Sequence, residues 1–260
     1  MFLTPLNPRW PDWHGKRVWL IGASSGIGAA VARDLLQRGA RVALSARRED
    51  ALVAVAANSA LARILPMDVT DPAAWKSAHK HLIREWGGLD LTVFCAAQYE
   101  QLRSWELQSD SVRGTIEVNL ASVYYGLEVI LPDLIAQGNG SIALVASVAG
   151  YLGLPNATVY GPTKAALINL AELLYAELHP KGLGVYLVNP GFVKTKMTAS
   201  NKFPMPAMIS VDEASRDILR GMEKGVFEIH FPKRFTRLLK LMSLLPYRLR
   251  LAALAQMVGR

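Results

Sequence analysis

Short, nearly continuous apolar runs alternate along the first 232 residues with longer stretches in which apolar positions recur every three or four residues. The runs at 18–21, 42–45, 62–67, 89–95, 141–146, 185–189 and 226–231 have the composition of strands, and several are apolar almost throughout, as strands buried on both faces are. Helical spacing predicts helices over 28–38, 72–86, 111–137, 158–179 and 211–223. Asp71-Pro72 and Ser210-Val211, with Glu213 nearby, read as helix starts, and Gly39, Gly87 and Gly182 stand where helices should stop. This alternation predicts an α/β fold: a doubly wound parallel sheet of about seven strands with helices on both faces. No internal repeat, low-complexity tract or linker divides residues 1–232, so they are expected to form one domain.

The pattern changes after residue 232. Arg234, Arg237 and Lys240 recur at i+3, Phe235, Leu238, Leu239, Leu241 and Met242 cover much of the remaining surface, and Pro246 should divide the tail into two short helices. The chain of 260 residues carries 29 Lys and Arg against 21 Asp and Glu, a net charge of +8. Seven of the cations (Lys233, Arg234, Arg237, Lys240, Arg248, Arg250, Arg260) lie in 233–260 without any acid, which leaves 22 basic against 21 acidic residues in the rest. The basicity is therefore a property of the tail, and it gives no support to a nucleic-acid partner. A basic amphipathic helix suits the surface of an anionic membrane. It equally suits a roof over a substrate cleft, or contact with a second subunit, with its cations in solvent. Residues 233–260 are taken as a tail of the same domain.

No window of roughly 18 uncharged apolar residues is present, and Met1-Phe2-Leu3-Thr4-Pro5 lacks the basic and apolar regions of a signal peptide. The expected location is the cytoplasm, at the inner face of the membrane if the tail binds lipid. Cys95 is the single cysteine, sits in an apolar run and reads as a small buried residue in a reducing compartment. No metal site is expected.

Candidate chemistry begins directly after the first strand, at Gly22-Ala23-Ser24-Ser25-Gly26-Ile27-Gly28. A glycine-rich turn at a helix N-terminus lets backbone amides approach a pyrophosphate, and the helix dipole favours its charge. After the second strand, where an NAD site offers an acid to the ribose hydroxyls, the chain has Arg47-Arg48. A guanidinium can make two parallel hydrogen bonds to a phosphate, so Arg47, helped by Arg48, Ser24 and Ser25, points to the 2′-phosphate of NADP(H). Further on, Tyr160 and Lys164 are one helical turn apart, a spacing in which an ammonium could draw the pKa of a phenol down toward the working range. Ser147 ends the fifth strand on the sheet edge where such folds bind ligands.

Taken together, Gly22-x-x-x-Gly26-x-Gly28, Asn119 in Val118-Asn119-Leu120, Ser147, Tyr160-x-x-x-Lys164 and Pro190-Gly191-x-Val193-x-Thr195 resemble the classical short-chain dehydrogenases/reductases, in order and spacing, over residues 15–232. The resemblance implies a Rossmann-type fold and hydride transfer between nicotinamide and a carbonyl or secondary alcohol. It makes Tyr160 the general acid/base and Lys164 the residue that lowers its pKa and binds the nicotinamide ribose. Ser147 would orient the substrate oxygen, and Asn119 would hold a water of the proton relay. For Asn119 the plainer reading, a polar residue satisfying a helix kink, stays open. The same resemblance sets Asp68 and Val69 at the adenine, Pro190, Gly191, Val193 and Thr195 along the nicotinamide and pyrophosphate, and Ala96 beside the cofactor. It also implies a homodimer or homotetramer.

Two departures stand out: Ile21 replaces the family's threonine, and Phe94-Cys95-Ala96-Ala97 replaces Asn-Asn-Ala-Gly. Residues 196–209, with Met197, Phe203, Pro204, Met205, Pro206 and Met208, read as an apolar substrate lid. The tail is similar to the C-terminal parts of family members that act on lipid-like ketones and alcohols, so the expected substrate is apolar or lipid-like. The alternative is a non-catalytic NADP(H)-binding sensor or membrane-associated adaptor on the same fold. Ser147, Tyr160 and Lys164 argue against it, because a sensor needs no proton donor.

Overall fold

A computed structural model describes residues 4–199, 201 and 203–258. Seven strands, β1 (Arg17–Ile21), β2 (Arg41–Ser45), β3 (Ala62–Ile64), β4 (Leu91–Phe94), β5 (Ser141–Val145), β6 (Gly184–Pro190) and β7 (Glu228–Phe231), form one sheet in the order β3-β2-β1-β4-β5-β6-β7. Every neighbouring pair is parallel. β4, β5 and β6 are buried along their whole length, which is why their sequences read as apolar runs without alternation. β3 is shorter than its apolar run, although Leu65 and Met67 still donate backbone hydrogen bonds to Leu44 and Ala46 beside it.

Helices cover both faces. On one lie α1 (Gly26–Gln37), α2 (Glu49–Ala56) and, after the fourth to sixth helices in the chain, α7 (Val211–Glu223); on the other lie α3 (Pro72–Trp86), α5 (Ser122–Gln137) and α6 (Tyr160–Leu178). α3 starts where Asp71 accepts the Ala73 amide at 2.9 Å, and α7 starts with a reciprocal Ser210–Glu213 capping box. The single helix expected over 111–137 is instead α4 (Ser109–Ile116), a π-helical turn (Glu117–Ala121) and α5. The extra residue of a π turn leaves no mark in the hydropathy pattern. The run 109–137 is long and apolar enough to pass for a membrane span by length and composition, and Val123, Gly126, Leu127, Ile130 and Leu134 within it are buried against α3 and the sheet.

The chain before β1 is tied down by contacts that no local pattern announces. The Asn7 side chain exchanges two hydrogen bonds with the backbone of Val185, at 2.6 and 2.8 Å, and Trp10 stacks on Trp13 at 5.0 Å. Met1, Phe2 and Leu3 lie outside the described residues.

The tail forms α8 (Lys233–Ser243) and α9 (Tyr247–Val258), divided at Pro246 as expected. Leu239 and Leu254 are buried against Val148 and Leu152, a small third core beyond the C-terminal edge of the sheet. Arg260 lies outside the described residues.

Candidate active site

At the C-terminal ends of the strands the chain order reverses between β1 and β4, and a cleft opens over that reversal. Its volume is about 570 Å³. Glycine is required on its floor at two places: a Cβ on Gly22, whose φ is +89°, would come within 2.5 Å of the Ala96 nitrogen, and one on Gly28 within 2.3 Å of the Gly22 oxygen. α1 therefore starts directly against the turn. Ser25 precedes it with no side-chain capping bond, which leaves the first amides of α1 uncapped where Gly26, Ile27 and Gly28 line the cleft.

Every residue expected to hold the cofactor lines this cleft: Gly22, Ser24, Ser25, Gly26, Ile27 and Gly28 from the turn, Arg47, Arg48, Asp68 and Val69 at one end, and Ala96, Tyr160, Lys164, Pro190, Gly191, Val193 and Thr195 toward the other. Arg47 and Arg48 are exposed at the rim and make no ion pair among the described residues; Arg48 Nη2 reaches Ser24 Oγ at 3.4 Å. Thr70, Cys95 and Gln98 also line the cleft, and no motif singled them out for that position. No group of three or more metal-ligating side chains occurs among the described residues. The donor set fits a dinucleotide phosphate: bare amides at a helix start, two hydroxyls and two unpaired guanidinium groups.

Ser147, at the end of β5, is buried and accepts the Ala149 amide at 3.1 Å. The Tyr160 phenol lies beside Ser147, and the Tyr99 ring packs edge-on against Tyr160 at 5.0 Å. Lys164 is almost fully buried; its Nζ donates to the Val145 carbonyl at 2.9 Å and lies 5.5 Å from the centre of the Tyr160 ring. The expected lowering of the phenol pKa is not found. Burial dominates and pushes Tyr160 up to about 12, with the Ser147 hydroxyl drawing it partly back, while burial brings Lys164 down to about 8. Tyr160 is thus held protonated at neutral pH. Burial pushes the Cys95 thiol up to about 11; the residue is half-buried and lines the cleft, not the fully buried core position its apolar run suggests.

Asn119 sits in the π turn and does not line the cleft. Its Oδ1 accepts the Gln98 amide at 2.7 Å, and its Nδ2 donates to the Gln98 carbonyl at 2.9 Å and to Thr163 Oγ1 at 3.2 Å. Thr163 in turn donates to the Tyr160 carbonyl at 2.8 Å. The amide expected to hold a relay water is engaged in these bonds. It fastens the loop after β4 to the start of α6, and none of these bonds goes to the backbone of the π turn itself.

A second cavity, of about 410 Å³, adjoins the first and is mostly apolar. Ser147 and Tyr160 line both. Its walls include Leu154, Phe192, Met197, Phe203, Pro204 and Pro206, and its roof is Phe235 and Leu239 of α8 with Met257 of α9. Part of the expected lid is therefore a wall of this cavity; Ser200 and Lys202 within it lie outside the described residues. Behind the roof, Glu228 of β7 accepts hydrogen bonds from Tyr151, from Asn189 Nδ2 at 2.9 Å and from Lys240 of α8. Lys240, third in the basic i+3 series, turns inward instead of toward solvent.

The family model described as short chain dehydrogenase matches residues 16–204. The chain belongs to the short-chain dehydrogenase/reductase family. An uncharacterized oxidoreductase of Myxococcus xanthus (strain DK1622) is 33% identical over 229 residues, spanning 86% of this chain and 90% of that relative. One of Staphylococcus aureus (strain N315) is 33% identical over 181 residues, 69% and 78% of the two chains. A short-chain dehydrogenase from Sphingobium yanoikuyae, solved in complex with NADPH, superposes with a TM-score of 0.77 at 26% identity, over 89% of this chain and 97% of that one. The chain is accordingly an oxidoreductase of this family, whose members use NAD(P)(H).

Against the family pattern, the chain packs Phe94 where an asparagine is usual. Phe94 stacks on Trp75 at 5.7 Å, Trp75 meets Trp19 edge-on at 5.3 Å, and Gly126 makes room for the ring: a Cβ there would lie 2.4 Å from Phe94 Cε1. Aromatic packing thus fills the place of the asparagine at the end of β4. Phe94→Leu is expected to lower unfolding stability by about 1–2 kcal/mol, through lost ring contacts and imperfect refilling of the site, and to leave dinucleotide affinity unchanged. Denaturant unfolding and a nucleotide titration check the two parts; weakened nucleotide binding would show that Phe94 supports the cleft.

Proposed function

We propose that the protein is an NADP(H)-dependent oxidoreductase that reduces an apolar or lipid-like carbonyl compound to a secondary alcohol, the reverse reaction using the same groups. The observation that carries this reading is the position of one protonated phenol, Tyr160, at the junction of a cleft suited to phosphates and an apolar cavity.

When bound, the cofactor supplies the hydride. Arg47, with Arg48 and Ser24, would hold the 2′-phosphate at the rim, and the first amides of α1 the pyrophosphate. Lys164 would grip the nicotinamide ribose from the cleft floor, its ammonium steadied by the Val145 carbonyl. Ser147 donates a hydrogen bond to the substrate oxygen, and Tyr160 transfers its phenolic proton to that oxygen as negative charge develops. A phenol held protonated at neutral pH suits giving a proton more than taking one, which favours reduction. The apolar cavity selects a hydrophobic body on the carbonyl and excludes water from the junction.

The test is a fluorescence titration with NADPH and NADH. NADPH should bind more tightly, and Arg47→Ala should weaken NADPH by about tenfold, the loss of one exposed charge-assisted contact, without changing NADH. Equal affinities in the wild type, or equal weakening of both nucleotides in the variant, would contradict NADP(H) use. Tight binding without turnover of any apolar ketone would favour the sensor or adaptor reading.

A further inference from the structure

We propose that α8 and α9 dock the protein on an anionic lipid bilayer, so that the roof of the apolar cavity lies at the lipid surface. The two sides of these helices differ. Inward, Phe235, Leu239 and Met257 line the cavity and Lys240 is neutralised by Glu228. Outward, Leu244 is 81% exposed, Tyr247 71% and Leu241 63%, with Leu238, Leu249 and Leu251 also in solvent. Seven of the twenty large apolar side chains exposed among the described residues fall within 238–251, a concentration that a soluble surface rarely carries without a partner.

Charge identifies the partner. Lys233, Arg234, Arg237 and Arg248 are exposed beside these leucines and make no ion pair among the described residues, and residues 233–260 contain no Asp or Glu. A second copy seated on the same patch by two-fold symmetry would bring cations against cations with no acid in either tail to separate them. An anionic bilayer meets the leucines with acyl chains and the cations with headgroups. At 11 and 12 residues, α8 and α9 are too short to span a membrane and suit lying in its interface.

The experiment is sedimentation of the full-length protein with vesicles of phosphatidylcholine containing about one third phosphatidylserine, compared with pure phosphatidylcholine. The wild type should partition onto the anionic vesicles at least about tenfold more strongly, and lose most of that binding at high salt. Leu241→Glu combined with Leu244→Glu should reduce partitioning about tenfold or more with the melting temperature unchanged, because both side chains are outside the core. Arg234→Glu with Arg237→Glu supplies an independent pair should the first variant prove unstable. Equal partitioning of wild type and variants, or of the two vesicle types, would overturn the proposal. So would a wild-type oligomer without lipid that the leucine variant dissolves, since that result assigns the patch to a second copy. Neither nucleotide nor substrate enters the measurement, so its failure is distinguishable from failure of the proposed reaction.

Discussion

Tyr160→Phe is expected to lower turnover of an apolar ketone by about 10²–10⁴-fold, the range associated with loss of a positioned general acid, while NADPH affinity stays as in the wild type. The variant removes one oxygen. The ring still packs against Tyr99, and the Lys164–Val145 hydrogen bond is untouched, so the fold and the cleft remain in place. What is lost is the proton that must reach the substrate oxygen as hydride reaches the carbon. The pH dependence follows from the same geometry. Burial holds Tyr160 at about 12, so the acid form persists through neutral pH and reduction should lose rate to phenol ionisation only in strong alkali. Steady-state turnover beside a nucleotide titration decides the matter. Turnover near the wild-type value would remove Tyr160 from the chemistry, and loss of NADPH binding would show that it is needed for the cofactor instead.

Lys164→Met should move activity and stability in opposite directions. Turnover is expected to fall by about 10²-fold or more, because the cation at the cleft floor is lost. Stability should rise by about 1–3 kcal/mol at pH 7, since methionine fills similar space without a charge to desolvate, against which stands the lost hydrogen bond to Val145. The sign has its own pH signature. Burial lowers Lys164 from 10.5 to about 8, so the cost of holding it charged is full below pH 8 and fades as pH rises toward 10.5, where the unfolded chain also loses the proton. The stability gain of the variant should shrink over the same interval. Thermal unfolding of both proteins at pH 7 and at pH 10 measures it, and a destabilised variant would mean that Lys164 is a structural tie rather than a strained functional group.

Much of this architecture is legible in the sequence because the deciding physics is local. An apolar run with both faces buried has one composition wherever it lies, and β4, β5 and β6 show it. Glycines at which a Cβ would come within 2.5 Å of other backbone atoms leave a spacing that no other residue can mimic, and a tyrosine and a lysine one turn apart declare their common face. The features that escaped depend on distant parts of the chain. The π turn at Asn119 shifts the helix by one residue without altering its composition. Asn7 finds its partner at Val185, far along the sequence. The direction of the Tyr160 pKa shift is not legible there either, because the helical spacing gives the lysine, whereas the burial that outweighs it comes from the whole fold. The i+3 spacing sets Lys240 among the solvent-facing cations, and only the return of β7 beneath α8 brings the carboxylate it meets.

That carboxylate, Glu228, joins a residue of the turn after Ser147, the residue before Pro190-Gly191 and a helix of the tail. Exchanging tails between relatives, to trade one substrate range for another, is consequently not a matter of cutting at residue 232. A foreign helix lacking the Lys240 amine would leave Glu228 half-satisfied, and a foreign body lacking Glu228 would have nothing to receive that amine. Residues 151, 189, 228 and 240 form a single transferable unit, and recombination within this family should preserve or replace them together.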